Sequence, residues 1–139
     1  MAPEAAGHAT ATVRRLHPMR LLLVSDDRGF CGVTSLLLAR NGFAVKTTKH
    51  ADPVRVAELA REHRADVVLV DEAPSRRRAA RTVAGLKQLY PRARLLVLRA
   101  EGNALLPPVA EHVGRSSPIA ELTAAIERCY ADERPLGAS

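Results

Sequence analysis

Short runs of apolar residues recur along the chain, and stretches with helical spacing lie between them. In chain order the runs are Met19–Ser25, Phe43–Thr48, Val67–Val70, Arg94–Leu98 and the shorter Glu111–Gly114. Continuous apolar runs of this length are typical of strands that are covered on both faces of a sheet. The pattern therefore predicts five short strands, of which the third is the most apolar.

Helical patterns fill the intervals between these strands. The predicted helices are Gly29–Arg40, residues 53 to about 63, residues 75–89 and Pro118–Tyr130. Asp52 followed by Pro53 is a helix start, and Gly42 after the first helix is a stop signal. Between residues 100 and 108 the pattern is weak, so a fourth helix at this point should be shortened to a turn or two.

Strands that alternate with helices predict right-handed βαβ units around a parallel sheet. The expected fold class is therefore α/β: one flavodoxin-like, doubly wound (βα)5 sheet in three layers. We expect this domain to span residues 19–131. Residues 1–18 and 132–139 are expected to be a disordered leader and tail.

Composition narrows the function classes. The 139 residues carry a net charge of +6, but aromatic residues make up only 3%, so the interleaved basic and aromatic positions that bind bases are missing. Nucleic acid is therefore not the expected partner. No apolar run reaches the ~18–20 residues of a membrane helix, and the two cysteines have no metal or disulfide spacing. A cytoplasmic protein is expected.

Three carboxylates follow predicted strands. Asp26 and Asp27 come after the first strand, and Asp71 comes after the third. In a doubly wound sheet these two strands are neighbours, and ligands bind beyond their carboxyl ends. Clustered carboxylates suit a hard cation such as Mg²⁺, which would bridge to a phosphoryl group. Asp71 would then be the nucleophile that forms an aspartyl phosphate.

The chain resembles the bacterial response-regulator receiver domain from Met19 to about Tyr130. The matching segments are LLLVSDD at residues 21–27, VVLVD at residues 67–71 and SSPIAELTAAI at residues 116–126. The resemblance implies that Asp26 and Asp27 are the metal-binding acidic pair and that Asp71 is the phosphoacceptor. It also implies that the backbone carbonyl of Ala73 is a metal ligand.

Two positions depart from the family pattern. Arg99 stands where the family has a switching Thr or Ser, and Arg115 stands where it has a Lys. Arg115 still offers a cation to a phosphoryl group, although its fork geometry differs from that of Lys. Arg99 offers no hydroxyl, so we expect the ordinary switch to be weakened or lost. Only 16 positions separate the two arginines, which again indicates a shortened fourth helix.

Other interpretations of these residues stay open at this point. The acidic pair could be a helix cap plus a surface acid, and Asp71 could cap a loop. Arg99 or Arg115 could neutralise the acidic cluster by a salt bridge, which would leave the fold intact without metal. The arginine cluster at the start of the third helix is either a solvated face or a site for an anionic partner; it consists of Arg76, Arg77, Arg78 and Arg81.

The leading hypothesis is a stand-alone, atypical receiver in phosphorelay signalling that acts by protein–protein interaction. Its expected partner is a sensor kinase or another signalling protein, and a homodimer is a second expectation. The alternative is a pseudo-receiver, independent of phosphorylation, that binds a small anionic ligand or nucleic acid through its arginines. An enzyme is not expected, because the chain has no Ser-His-Asp, Cys-His or metal-hydrolase arrangement.

Overall fold

The computed structural model describes residues 17–100 and 111–131. Within them lie five strands and four helices. The strands are β1 (Arg20–Val24), β2 (Ala44–Thr48), β3 (Val67–Asp71), β4 (Arg94–Arg99) and β5 (Glu111–Gly114). The helices are α1 (Arg28–Arg40), α2 (Pro53–His63), α3 (Arg76–Leu89) and α4 (Ile119–Ala131). The predicted leader, tail and shortened fourth helix fall outside the described residues.

All five strands belong to one sheet in the order β2-β1-β3-β4-β5, and every neighbouring pair is parallel. The order changes direction between β1 and β3, which makes their carboxyl ends the topological switch point. The doubly wound, flavodoxin-like fold predicted from the sequence is therefore confirmed. Each described strand lies within about a residue of its predicted bounds.

Alternate residues of the central strands supply two cores, one on each face of the sheet. Leu21, Leu23 and Leu69 pack on the face that carries α1 and α4. Leu22 and Val68 pack on the opposite face, under α2 and α3. Because both faces are covered, the interiors of these central strands are apolar, as a parallel sheet requires.

Capping residues set the helix bounds as the sequence predicts. The carboxylate of Asp52 accepts a hydrogen bond from the N–H of Val54, and Pro53 begins α2. After α1 the chain turns through Gly42, whose φ of 93° is one that glycine adopts without a steric penalty. Among the described residues, no helix is long and apolar enough to cross a membrane.

The contact between α2 and α3 requires a residue without a side chain. A Cβ added to Gly85 in α3 would lie 2.3 Å from Cβ of Pro53 in α2. The two helices are therefore as close as glycine allows at this point. This packing holds the first turn of α2 against α3.

We expect Gly85→Ala to destabilise the fold by about 2 kcal/mol, because the added methyl forces α2 away from α3. The control is Gly32→Ala on the exposed face of α1, where an added Cβ meets no atom within 4 Å. That change should stabilise the chain by about 0.5–1 kcal/mol through helix propensity. Urea unfolding of the two variants measures both effects, and a Gly85→Ala chain as stable as wild type would contradict the contact.

Candidate functional site

Asp71 is the last residue of β3, and its carboxylate is fully buried. One oxygen, Oδ2, accepts a hydrogen bond from the hydroxyl of Ser25 at 2.7 Å. The other, Oδ1, accepts one from the backbone N–H of Ala73 at 3.2 Å. A buried carboxylate that stays ionised also needs a cation, because neutral donors alone do not repay its loss of hydration.

Arg115 supplies that cation. Its backbone N–H donates to the carbonyl of Arg99 at 2.9 Å, which continues the β4–β5 pairing by one residue. Its Nε donates to Oδ1 of Asp71 at 2.8 Å, and its Nη2 donates to Oδ2 at 3.0 Å. Such a bidentate, charge-assisted pair is among the stronger hydrogen-bonding arrangements in proteins. Arg115 is therefore the arginine that neutralises Asp71.

Two further contacts fix the guanidinium of Arg115. Its Nη2 also donates to Oδ2 of Asp27 at 3.1 Å. The guanidinium carbon lies 4.1 Å from the centroid of the Phe30 ring, a distance at which the cation and the ring attract each other. The hydrogen bonds to Asp71 are the main reason that the pKa of Arg115 is raised above its usual value. The arginine thus joins α1, β3 and β4 to the end of β5.

Asp27 has a structural role at the start of α1. It is the N-cap residue, and its Oδ1 accepts a hydrogen bond from the N–H of Phe30 at 3.0 Å. That backbone hydrogen bond, followed by the one from Arg115, holds the pKa of Asp27 below its usual value. Both contacts favour a charged Asp27, which interacts well with a helix N-terminus.

Asp26 faces away from this cluster. Its carboxylate is about half exposed, and Oδ2 lies 3.6 Å from Nη1 of Arg78 in α3. An exposed pair at this distance contributes little to stability. The two members of the acidic pair therefore contact different arginines: Asp27 contacts Arg115, and Asp26 contacts Arg78.

The carboxylates do not form a metal-binding group in this arrangement. Within residues 17–100 and 111–131, no three His, Cys, Asp or Glu side chains are placed so that they could hold a metal ion. The two oxygens of Asp71 already accept hydrogen bonds from Arg115. The metal-ligand roles of Asp26, Asp27, Asp71 and the Ala73 carbonyl therefore stay predictions, and they require Arg115 to move off Asp71.

Arg99 ends β4, at the position predicted for it. Its Nη1 lies 3.4 Å from Nδ1 of His112 in β5, and its carbonyl accepts the hydrogen bond from Arg115. The residue therefore helps to position Arg115 through the backbone. Its role as a replacement for the switching hydroxyl stays a prediction.

The arginine cluster on α3 has one member at the site. Arg78 contacts Asp26, whereas Arg77 and Arg81 are exposed and Arg76 is partly buried. Ser75 caps the helix, because its hydroxyl accepts a hydrogen bond from the N–H of Arg78. The cluster as an anion site stays a prediction at this stage.

Two residues of the site were missed by the sequence analysis. Ser25 was treated only as the end of β1, although a hydroxyl directly before an acidic pair is a signal that it could bind a carboxylate. Phe30 is one of two phenylalanines in the chain and lies in the first turn of α1. Nothing in its sequence context indicated that an arginine 85 positions later would stack on it.

Comparisons with known proteins bear on the fold. No family model and no curated protein matches the chain. Among solved structures, it is similar to the signal receiver domain of a putative LuxO repressor protein from Vibrio parahaemolyticus, with a TM-score of 0.69 and 12% identity. That match covers 83% of this chain and 91% of the other.

Two further solved structures agree. A response regulator from Thermotoga maritima matches with a TM-score of 0.68 and 16% identity over 84% of this chain and 100% of the other. The receiver domain of a Pseudomonas aeruginosa sensor histidine kinase, which holds magnesium in its active-site cleft, matches with a TM-score of 0.65 and 20% identity over 83% and 99%. The chain therefore has the fold of the response-regulator receiver domains.

Proposed function

We propose that this chain is a receiver-type signalling module that acts by binding another protein, without phosphorylation of Asp71. Its partner would be a sensor kinase or another signalling protein, and the chain would contribute a binding surface and no catalysis. The observation that carries the proposal is the bidentate contact of Arg115 with Asp71.

The contact bears directly on phosphorylation chemistry. An aspartyl phosphate forms when a carboxylate oxygen attacks a phosphoryl donor, so an oxygen of Asp71 must be accessible. Here the carboxylate is fully buried, and each oxygen accepts a hydrogen bond from the guanidinium. Opening the site would leave a buried charge without its partner, which costs several kcal/mol.

The residue at the end of β4 supports the same proposal. Receiver domains use a hydroxyl at this position to sense the phosphoryl group, and Arg99 has none. A phosphoryl group on Asp71 would therefore lack its usual route to the rest of the domain. We infer that partner binding depends on the surface that the fold already presents.

Magnesium binding belongs to the alternative in which Asp71 is phosphorylated. A receiver domain of similar fold has magnesium in its active-site cleft. If this chain held Mg²⁺, the ligands would be the acidic pair, Asp71 and the Ala73 carbonyl, and the ion would neutralise the incoming phosphoryl group. That arrangement competes with Arg115 for the same carboxylate.

A second candidate function is the binding of a small anionic ligand through arginine. The observation that favours it is the placement of Arg78 beside the site, where its partner Asp26 holds it only at 3.6 Å. This function is compatible with protein binding, because it uses a different face of the acidic cluster.

We expect wild-type protein to remain unphosphorylated with acetyl phosphate and Mg²⁺, because Arg115 covers Asp71. The variant Arg115→Lys restores the family's single ammonium, which cannot hold both oxygens as a fork does. It should become phosphorylated, and the double variant Arg99→Thr/Arg115→Lys should reach a larger phosphorylated fraction. A Phos-tag gel and the intact mass report the modification.

Asp71→Asn in the Arg115→Lys background is the matched control and should abolish the signal. Near-complete phosphorylation of wild type that disappears in Asp71→Asn would contradict the proposal. Arg81→Lys, an equal change on an exposed part of α3, should leave the result unchanged.

Removing one partner of the buried pair should lower the free energy of unfolding more than removing both charges does. We expect Arg115→Ala to destabilise the chain by about 3 kcal/mol, because it leaves a buried carboxylate without its cation. The double variant Arg115→Ala/Asp71→Asn should recover part of this loss, since Asn is uncharged, its oxygen still accepts from the N–H of Ala73, and its NH2 group is able to donate to the hydroxyl oxygen of Ser25. Arg81→Ala should change stability by less than about 0.5 kcal/mol.

Chemical unfolding of the single and double variants at one pH completes the cycle. If the double variant is no more stable than Arg115→Ala, Asp71 does not carry a buried charge that Arg115 neutralises. If Arg115→Ala costs no more than Arg81→Ala, the pair is a surface ion pair and does not close the site.

A further inference from the structure

A cleft opens beside Asp71 on the side of α3. The space between its walls is about 300 Å³, which includes open solvent at the mouth. Four segments form its walls: the end of β1, the end of β3, the loop between β2 and α2, and the start of α3 with the loop before it. Its charged lining residues are Asp26, Lys49, Asp71 and Arg78. The cleft lies at the carboxyl ends of β1 and β3, where doubly wound sheets bind their ligands.

Two of the four charged residues that line this cleft are cations, Lys49 and Arg78. Arg115 neutralises Asp71 from the other side with two hydrogen bonds. Arg115 also contacts Asp27, so the charges of this cluster sum to zero, but among the acids that line the cleft only Asp26 is left to face Lys49 and Arg78. The two cations are therefore the charged groups of the cleft that remain available to a ligand.

Both cations of the cleft are accessible. Arg78 is about half exposed and lies 3.6 Å from Asp26, a separation that allows only a weak ion pair. Lys49 is exposed, and among the described residues it has no ion-pair partner. Arg78 also stands in the first turn of α3, where a positive charge is unfavourable with respect to the helix dipole. An anion between the two cations would relieve this cost.

The walls that carry these cations are tied together. Thr82 of α3 is fully buried, and its hydroxyl donates to the carbonyl of Ala51, two residues after Lys49. The loop after β2 therefore keeps its position relative to α3. At the helix terminus Ser75 already accepts the N–H of Arg78, and we assign the binding to the side-chain cations.

We propose that this cleft binds a phosphate group, with Lys49 and Arg78 as its ligands and Asp26 as an internal competitor for Arg78. The phosphate could be the free ion or the monoester of a small molecule, since both present the same dianion to the two cations. The site rests on the second candidate function, the binding of a small anion through arginine, and it needs neither a modified Asp71 nor a protein partner.

The test is a titration of the full chain with inorganic phosphate, pyrophosphate and ribose 5-phosphate at low ionic strength, followed by ¹⁵N–¹H correlation spectra. We expect saturable shifts in residues 49–51 and 75–79. Arg78→Ala should weaken binding about tenfold, the usual worth of a charge-assisted hydrogen bond. Arg81→Ala, one turn further along α3 and outside the cleft, is the control and should bind as wild type does.

The variant Asp26→Asn distinguishes a site for an anion from a site for a metal ion. Because it removes the competitor, it should strengthen phosphate binding several-fold, whereas a metal site would lose affinity for Mg²⁺ with the same change. Lys49→Ala is the second variant if circular dichroism shows that Arg78→Ala is unfolded. Tighter binding of ribose 5-phosphate than of phosphate identifies an ester as the ligand, and equal affinities identify the free ion.

Three results would overturn the proposal. They are the lack of saturable shifts with all three probes, unchanged affinity in Arg78→Ala, and weaker phosphate binding in Asp26→Asn. None of them depends on the phosphorylation assay, so this site and the proposed signalling function can fail separately.

Discussion

A buried carboxylate at the end of the central strand is the constraint on which the site depends. The Asp71 side chain has no exposed surface, and an ionised carboxylate in that position costs several kcal/mol unless a cation and several donors surround it. Ser25, Ala73 and Arg115 supply those donors. A metal and a guanidinium are alternative solutions to the same electrostatic problem, and in this structure the guanidinium of Arg115 contacts both oxygens of Asp71.

Because Arg115 is the cation that neutralises Asp71, the site is connected to the sheet. Arg115 follows a strand of only four residues, and its backbone is held by Arg99 at the end of β4. The parallel pairing of β4 with β3 brings that strand end alongside Asp71, because Leu98 is its register partner. The position of the cation therefore follows from strand order and register, so the fold and the charge balance of the site are coupled.

The fold could be predicted because its signals are local. The VVLV run of β3 and the Asp52-Pro53 start of α2 each identify an element within a few residues, and alternation of elements implies the parallel sheet. The choice between Arg99 and Arg115 could not be made this way. Arg99 ends β4 and Arg115 follows β5, so both lie at the same edge of the sheet, and the further contacts that fix Arg115 come from Asp27 and the Phe30 ring. Such contacts join residues far apart in sequence.

The carboxylate of Asp26 shows how the arginine at position 115 changes the role of a nearby residue. In an acidic pocket with an exposed Asp71, an additional carboxylate strengthens the attraction for a cation. Once Arg115 has neutralised Asp71, the same carboxylate is the one remaining acid of a cleft that also contains Lys49 and Arg78. It then weakens the attraction of that cleft for an anion. The acidic residues that support the resemblance to receiver domains therefore do not by themselves determine the sign of the ligand, which depends on the cation that binds them first.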